Sequence, residues 1–125
     1  MAAACKLCRA LANATREAEP SVCNARLLET PQFIAMPSLG PLVRGQVMVV
    51  SKIHAERLAS MGSDALGEYD ALALRLRKAA SLLGANPLDA EHGSTAGDKA
   101  GACVVHTHVH WLPEMGDFLG EFRKR

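Results

Sequence analysis

The amino-acid sequence predicts an α+β domain. Three features carry that prediction. Apolar residues recur at three- and four-residue steps between residues 65 and 83, several short apolar and β-branched runs are bounded by Pro and Gly, and one stretch alternates histidine with β-branched or aromatic residues. The chain has 125 residues, a length that suits a single domain (1–125, with its core over about 5–113) and a true hydrophobic core. Lys and Arg number 14 against 13 Asp and Glu, so the formal net charge is +1. That balance argues against a nucleic-acid groove, which carries a basic excess. No apolar run approaches the roughly 18 residues of a spanning helix, so no membrane segment is expected. The opening Met1–Lys6 lacks the basic-then-apolar layout of a signal peptide, and a cytoplasmic location is expected.

Taken in order, Cys5 to Glu17 reads as a short helix rich in Ala and Leu, ended by Glu19-Pro20. Val22 to Leu28 and Phe33 to Met36 read as strands separated by Glu29-Thr30-Pro31. Residues 37–41 form a Pro- and Gly-marked loop. Gln46 to Val50 reads as a buried strand, and Ala55 to Met61 as a short helix. Ser63 or Asp64 can cap the next helix. Its stripe runs through Ala65, Leu66, Tyr69, Leu72, Ala73, Leu76, Ala79, Ala80 and Leu83, and Gly84 stops it. Leu74 and Leu82 fall off the stripe, as surface leucines or as contacts for a partner subunit. Leu88 to Glu91 reads as a strand, and residues 92–101 as a glycine-bearing loop that leads to the His-rich segment.

Four Cys and five His are the unusual counts. His106-Thr107-His108-Val109-His110 has the period of a strand, which puts all three imidazoles on one face, about 6.6–7 Å apart along the chain. Val105, Thr107, Val109 and Trp111 take the other face. Rings spaced in this way cannot converge on one metal with bonds of about 2.0–2.1 Å, which disfavours a three-histidine catalytic zinc. Imidazole is a competent nucleophile near neutral pH, and the backbone amides of a glycine loop can cradle phosphate oxygens. The row of histidines beside such a loop therefore points to phosphorus chemistry. Cys5-Lys6-Leu7-Cys8 has metal-knuckle spacing but supplies only two of the four ligands of a structural zinc, so two half-buried thiols remain an equal reading at this point.

The segment His106-Thr107-His108-Val109-His110-Trp111-Leu112 resembles the signature of the histidine triad (HIT) superfamily, with Thr107 where a hydrophobic residue is usual. Gly45 to His54 is similar to that family's strand ending in Pro-Lys-x-His, with Ser51 in the proline position. Gly101-Ala102-Cys103 stands where many members carry Gly-Gln-Ser or Gly-Gln-Thr. The resemblance implies a five-stranded antiparallel sheet with one long helix and one or two short ones, commonly as a homodimer. The activity it implies is nucleotide hydrolysis or nucleotidyl transfer at the α-phosphorus of a nucleoside phosphoramidate, dinucleotide or related conjugate. His108 would be the nucleophile, His110 would contact phosphate oxygens and His106 would orient His108. Gly101 and Cys103 would line the phosphate site, His92 would offer a substrate contact, and Phe33, Ile34 and Leu39 would form an apolar nucleoside pocket. In zinc-carrying branches the CxxC is joined by two histidines, which here makes Cys5, Cys8, His54 and His106 a structural zinc set. Ala102 and Cys103 are poor hydrogen-bond donors, so a catalytically weak nucleotide-binding or scaffolding protein is the alternative.

Overall fold

The computed structural model describes residues 5–14, 26–38, 43, 45–91 and 105–113. Five antiparallel strands form one sheet: β1 (Leu28–Glu29), β2 (Phe33–Pro37), β3 (Val47–Ser51), β4 (Leu88–Glu91) and β5 (His108–Leu112). Their order across the sheet is β1-β2-β3-β5-β4, so β5 inserts between β3 and β4. Two helices, α1 (Lys6–Ala14) and α2 (Ser63–Leu82), complete the described architecture.

Strand register fixes what each face carries. Val49 faces Val109 across the β3–β5 pair, while Val50 faces His108 and Met48 faces His110. Side chains alternate across a strand, so Val49 and Val109 share one face and His108, His110, Met48 and Val50 share the other. The first face packs on α2, where Phe33, Ala35, Val49, Val109 and Trp111 meet Ala65, Tyr69, Leu72 and Ala73. Phe33 and Tyr69 meet edge-to-face with ring centroids 5.9 Å apart. The second face packs on α1, where Met36, Met48 and Val50 meet Cys5 and Leu7. The sheet is therefore covered on both sides, and β2 and β3 are buried almost throughout.

The α2 stripe buries Ala65, Tyr69, Leu72 and Ala73. Leu66, Leu74, Leu82 and Leu83 are exposed, so the apolar stripe ends a turn before the helix does. Ser63 is the first helical residue and Gly62 the N-cap, with no side-chain capping bond, which corrects the expected Ser63 or Asp64 cap. Gly62 lies at φ +95°, a conformation that side chains disfavour and glycine adopts freely. At the other end Gly84 stops the helix at φ +73°, with Gly84 N–H donating to Ser81 O and Ala85 N–H to Ala80 O. The segment expected as a short helix over Ala55–Met61 is a 3-10 turn over Leu58–Met61. The first strand contributes only Leu28–Glu29 to the ladder; residues 15–25, which hold the expected end of α1, most of that strand and Cys23, lie outside the described residues. The β1–β2 turn is tied to α2 through Glu68, whose carboxylate accepts the Thr30 hydroxyl and the Gln32 N–H, both at 2.7 Å.

No helix among the described residues is long and apolar enough to cross a membrane.

Candidate functional site

Histidine 106 precedes β5 by two residues. The ladder stops there because Thr107 N–H donates to Ala55 O at 2.7 Å, while Thr107 O accepts from Ser51 N–H at 3.2 Å. This tie draws residues 51–55 across the end of β5 and brings His54 against His106, with ring centroids 5.2 Å apart. The His106 ring is buried, and its Nε2 lies 2.7 Å from Ser51 O. A carbonyl only accepts, so Nε2 carries the proton and Nδ1 is bare. Burial lowers the His106 pKa below the ordinary imidazole value, partly opposed by the bond to Ser51, and keeps the ring neutral.

The bare Nδ1 of His106 points at sulfur. It lies 3.4 Å from both Cys5 Sγ and Cys8 Sγ, and His54 Nδ1 is also 3.4 Å from Cys8 Sγ. Ligand atoms of all four residues lie within 4.8 Å of one another. Tetrahedral zinc with bonds of about 2.3 Å to sulfur and about 2.0–2.1 Å to nitrogen sets its ligand atoms roughly 3.3–3.8 Å apart; the three sulfur–nitrogen contacts at 3.4 Å fall in that range, and the whole set spans no more than 4.8 Å. The Cys8 amide donates to Cys5 Sγ at 3.5 Å, a bond that supports a thiolate. The Cys8 thiol is pushed up to about 11, first by burial and then by the neighbouring Cys5 thiol, so in the metal-free protein it holds its proton. Two soft thiols and two imidazoles, the Nδ1 of His106 bare and the Nδ1 of His54 against Cys8 sulfur, form a closed S₂N₂ donor set, and they fit zinc.

The second histidine of the row has the opposite tautomer. His108 Nδ1 lies 2.6 Å from the main-chain carbonyl of His106, so Nδ1 carries a proton, and in the neutral ring Nε2 bears the lone pair. His110 stands beside it, edge-to-face, with centroids 5.2 Å apart and planes at 87°. Its Nδ1 contacts the Gln46 side-chain nitrogen at 3.1 Å and Ser38 Oγ at 3.5 Å. The structure thus joins His106, Cys5, Cys8 and His54 in one cluster and sets His108 and His110 next to it.

Other expected site residues separate. Ile34 lies on the histidine face, since it pairs with Val50, which pairs with His108. It lines a cavity of about 400 Å³ with Cys8, Leu11, Ala12, Arg26, Glu29 and Lys52. Phe33 lies on the opposite face, 1% exposed and packed on Tyr69, so it is a core residue away from the triad. Leu39, His92, Gly101 and Cys103 lie outside the described residues. Gln46 and Ser38 were not anticipated. The available signal was a polar residue opening the otherwise apolar run 47–50, because a buried amide requires partners.

No family model matches the chain. The protein "hit" of Bacillus subtilis (strain 168) is 25% identical over 97 residues, 74% of this chain; the chain spans 63% of that relative's length. A hypothetical protein from Leishmania major superposes with a TM-score of 0.71 at 22% identity, covering 100% of this chain and 94% of that one. A zinc-bound histidine triad family protein from Mycobacterium smegmatis gives 0.69 at 24% identity, with 94% and 80% covered. The histidine triad nucleotide-binding protein of Candida albicans gives 0.68 at 19% identity, with 97% and 93% covered. At these identities the likeness establishes a shared fold.

Proposed function

We propose that this chain, whose fold is that of the histidine triad proteins, is a nucleotide hydrolase or nucleotidyl transferase acting at the α-phosphorus of a nucleoside phosphoramidate, dinucleotide or related conjugate. The observation that carries this reading is the 2.6 Å bond from His108 Nδ1–H to His106 O, which leaves the Nε2 lone pair of His108 available beside His110. A fixed tautomer with a bare nitrogen is what an imidazole nucleophile needs.

In the proposed reaction the Nε2 lone pair of His108 attacks the α-phosphorus. A bond forms between nitrogen and phosphorus. The bond to the leaving group breaks, its electron pair departs with that group, and the group takes a proton from water. The new imidazolium keeps its Nδ1–H on the His106 carbonyl, which stabilises the positive charge. Water or an acceptor hydroxyl then attacks phosphorus, the electron pair of the P–N bond returns to Nε2, and the attacking group releases its proton to solvent. Phosphoryl chemistry asks mostly for positioning and charge stabilisation. His110 would donate to phosphoryl oxygens, and the loop carrying Gly101 and Cys103 would supply backbone amides. Ile34 and Leu39 would contribute apolar contact to the nucleoside, with His92 as a further substrate contact.

Cys5, Cys8, His54 and His106 would hold a structural zinc, which supplies a cross-link between α1, the 51–55 segment and the start of β5. It would fix the His106 ring and, through the main chain, the carbonyl that orients His108. A homodimer in the cytoplasm, without nucleic-acid or membrane partners, completes the reading.

The test is turnover of an adenosine 5′-phosphoramidate by His108→Ala. Turnover should fall below detection while AMP binding is retained, and unchanged turnover would remove His108 from the nucleophile's role. The alternative of a binding protein without useful turnover draws on Ala102 and Cys103. It predicts AMP binding with no hydrolysis in the native chain.

A further inference from the structure

We propose that Gln46 is the positioning residue for His110: its amide donates to His110 Nδ1 and thereby holds the proton of the neutral ring on Nε2, facing the phosphoryl group. The proposal deepens the reading of the site given above and rests on it for its chemical meaning, but its geometry stands apart. Gln46 sits one residue before β3 and is 6% exposed. Its side-chain nitrogen lies 3.2 Å from Ser38 Oγ and 3.1 Å from His110 Nδ1. A primary amide has two N–H protons, and here each has an acceptor. The backbone holds the arrangement in place. Ser38 N–H donates to Gln46 O at 3.1 Å, and Gln46 N–H donates to Val43 O at 3.3 Å.

The two neighbouring rings then carry opposite tautomers. His108 has its proton on Nδ1, given to the His106 carbonyl, and a bare Nε2. His110 has its bare nitrogen at Gln46 and its proton on Nε2. One ring is a nucleophile, and the other is a hydrogen-bond donor to the oxygens on which charge accumulates. Were Gln46 turned about, its Oε1 would accept a proton from His110 Nδ1, and two bare ring nitrogens would face an anionic phosphoryl group. That arrangement is repulsive. A neutral ring held in this way stabilises charge without delivering a proton, because losing Nε2–H would leave an imidazolate. The leaving group must therefore find its proton in water.

The experiment reads the His110 tautomer directly. Long-range ¹H–¹⁵N correlation spectra of the ligand-free, ¹⁵N-labelled full chain, assigned with a His110→Asn variant, should show a protonated Nε2 and a bare Nδ1. In Gln46→Glu the carboxylate can only accept, so the proton should move to Nδ1. A native spectrum with Nδ1 protonated, or a Gln46→Glu spectrum still bare at Nδ1, overturns the proposal. This arm needs no turnover, so it decides the matter even if the chain hydrolyses nothing. The kinetic arm uses Gln46→Met, which keeps length and packing but cannot donate. Its kcat should fall about 10–100-fold, with KM changed less than about twofold and an unaltered melting temperature. A loss confined to KM, or no loss, contradicts positioning through His110.

Discussion

Replacing Cys5 with serine isolates the contribution of the S₂N₂ cluster to stability. Cys5 is buried against Leu7, Met36, Met48 and Val50, and its sulfur lies 3.4 Å from His106 Nδ1. A bound metal stabilises the folded chain by linkage, by about 2.7 kcal/mol at a free concentration 100 times Kd and about 4.1 kcal/mol at 1,000 times. For 125 residues, an unfolding entropy of about 2.1 cal/mol/K per residue makes each kcal/mol worth about 4 °C. Chelation should therefore lower the melting temperature of the native chain by about 10–16 °C. The serine hydroxyl also costs about 1–2 kcal/mol in its apolar site, or roughly 4–8 °C. Cys5→Ser measured with zinc should thus melt below the chelated native chain by that smaller amount, and chelation should not lower it further. The assay is differential scanning calorimetry of both proteins with and without chelator, paired with metal analysis expecting about one zinc per native chain. A native chain that purifies without metal and melts at one temperature in zinc and in chelator would refute the linkage between this cluster and folding.

Three further outcomes are expected. Glu68→Ala frees the Thr30 hydroxyl and the Gln32 amide, each held at 2.7 Å. Thermal denaturation should show a loss of about 1–2 kcal/mol, near 4–8 °C, with kcat unchanged. Burial, then the charge of Asp89, holds the Tyr69 phenol well above its ordinary pKa. An unfolded tyrosine ionises near pH 10, so this contribution is whole below about pH 10 and is lost as pH rises beyond it. Tyr69→Phe should accordingly show a shallower loss of urea stability between about pH 9 and 12 than the native chain, and an identical slope would contradict it. Finally, a substrate panel differing only in the bond to phosphorus (P–N, P–O–P, P–S and sugar phosphate) should favour leaving groups that depart without help from an enzyme acid. Equal rates across the panel would count against a neutral His110.

How far the sequence disclosed this molecule depended on the kind of signal each residue carried. The α2 stripe and its stop at Gly84 were legible, because burial on one side of a helix writes its period into the chain. So was the alternation of Val109 and Trp111 with the histidines. The distinction between Phe33 and Ile34 was not, because β2 is buried on both faces and an unbroken apolar run carries no parity. The stop of β5 at His108 depends on the Thr107–Ala55 bond across 52 residues, which no local pattern encodes. The CxxC was visible, but its histidine partners came from resemblance alone, since spacing says nothing about which distant residues close a metal site. The strand pattern over Gln46 to Val50 does not disclose the role of Gln46, although a polar side chain at the head of an apolar run is a usable clue. The exposed Leu74 and Leu82 read correctly as lying off the stripe.

The central claim is that His108 forms a covalent bond to phosphorus. It is tested most directly by mixing the native chain with an adenosine 5′-phosphoramidate, quenching in the first turnovers and measuring the intact mass. The account predicts an added AMP moiety that maps to His108 and is absent from His108→Ala. Measurable turnover with no adduct, under conditions in which the second step is slowed enough for one to accumulate, would contradict it.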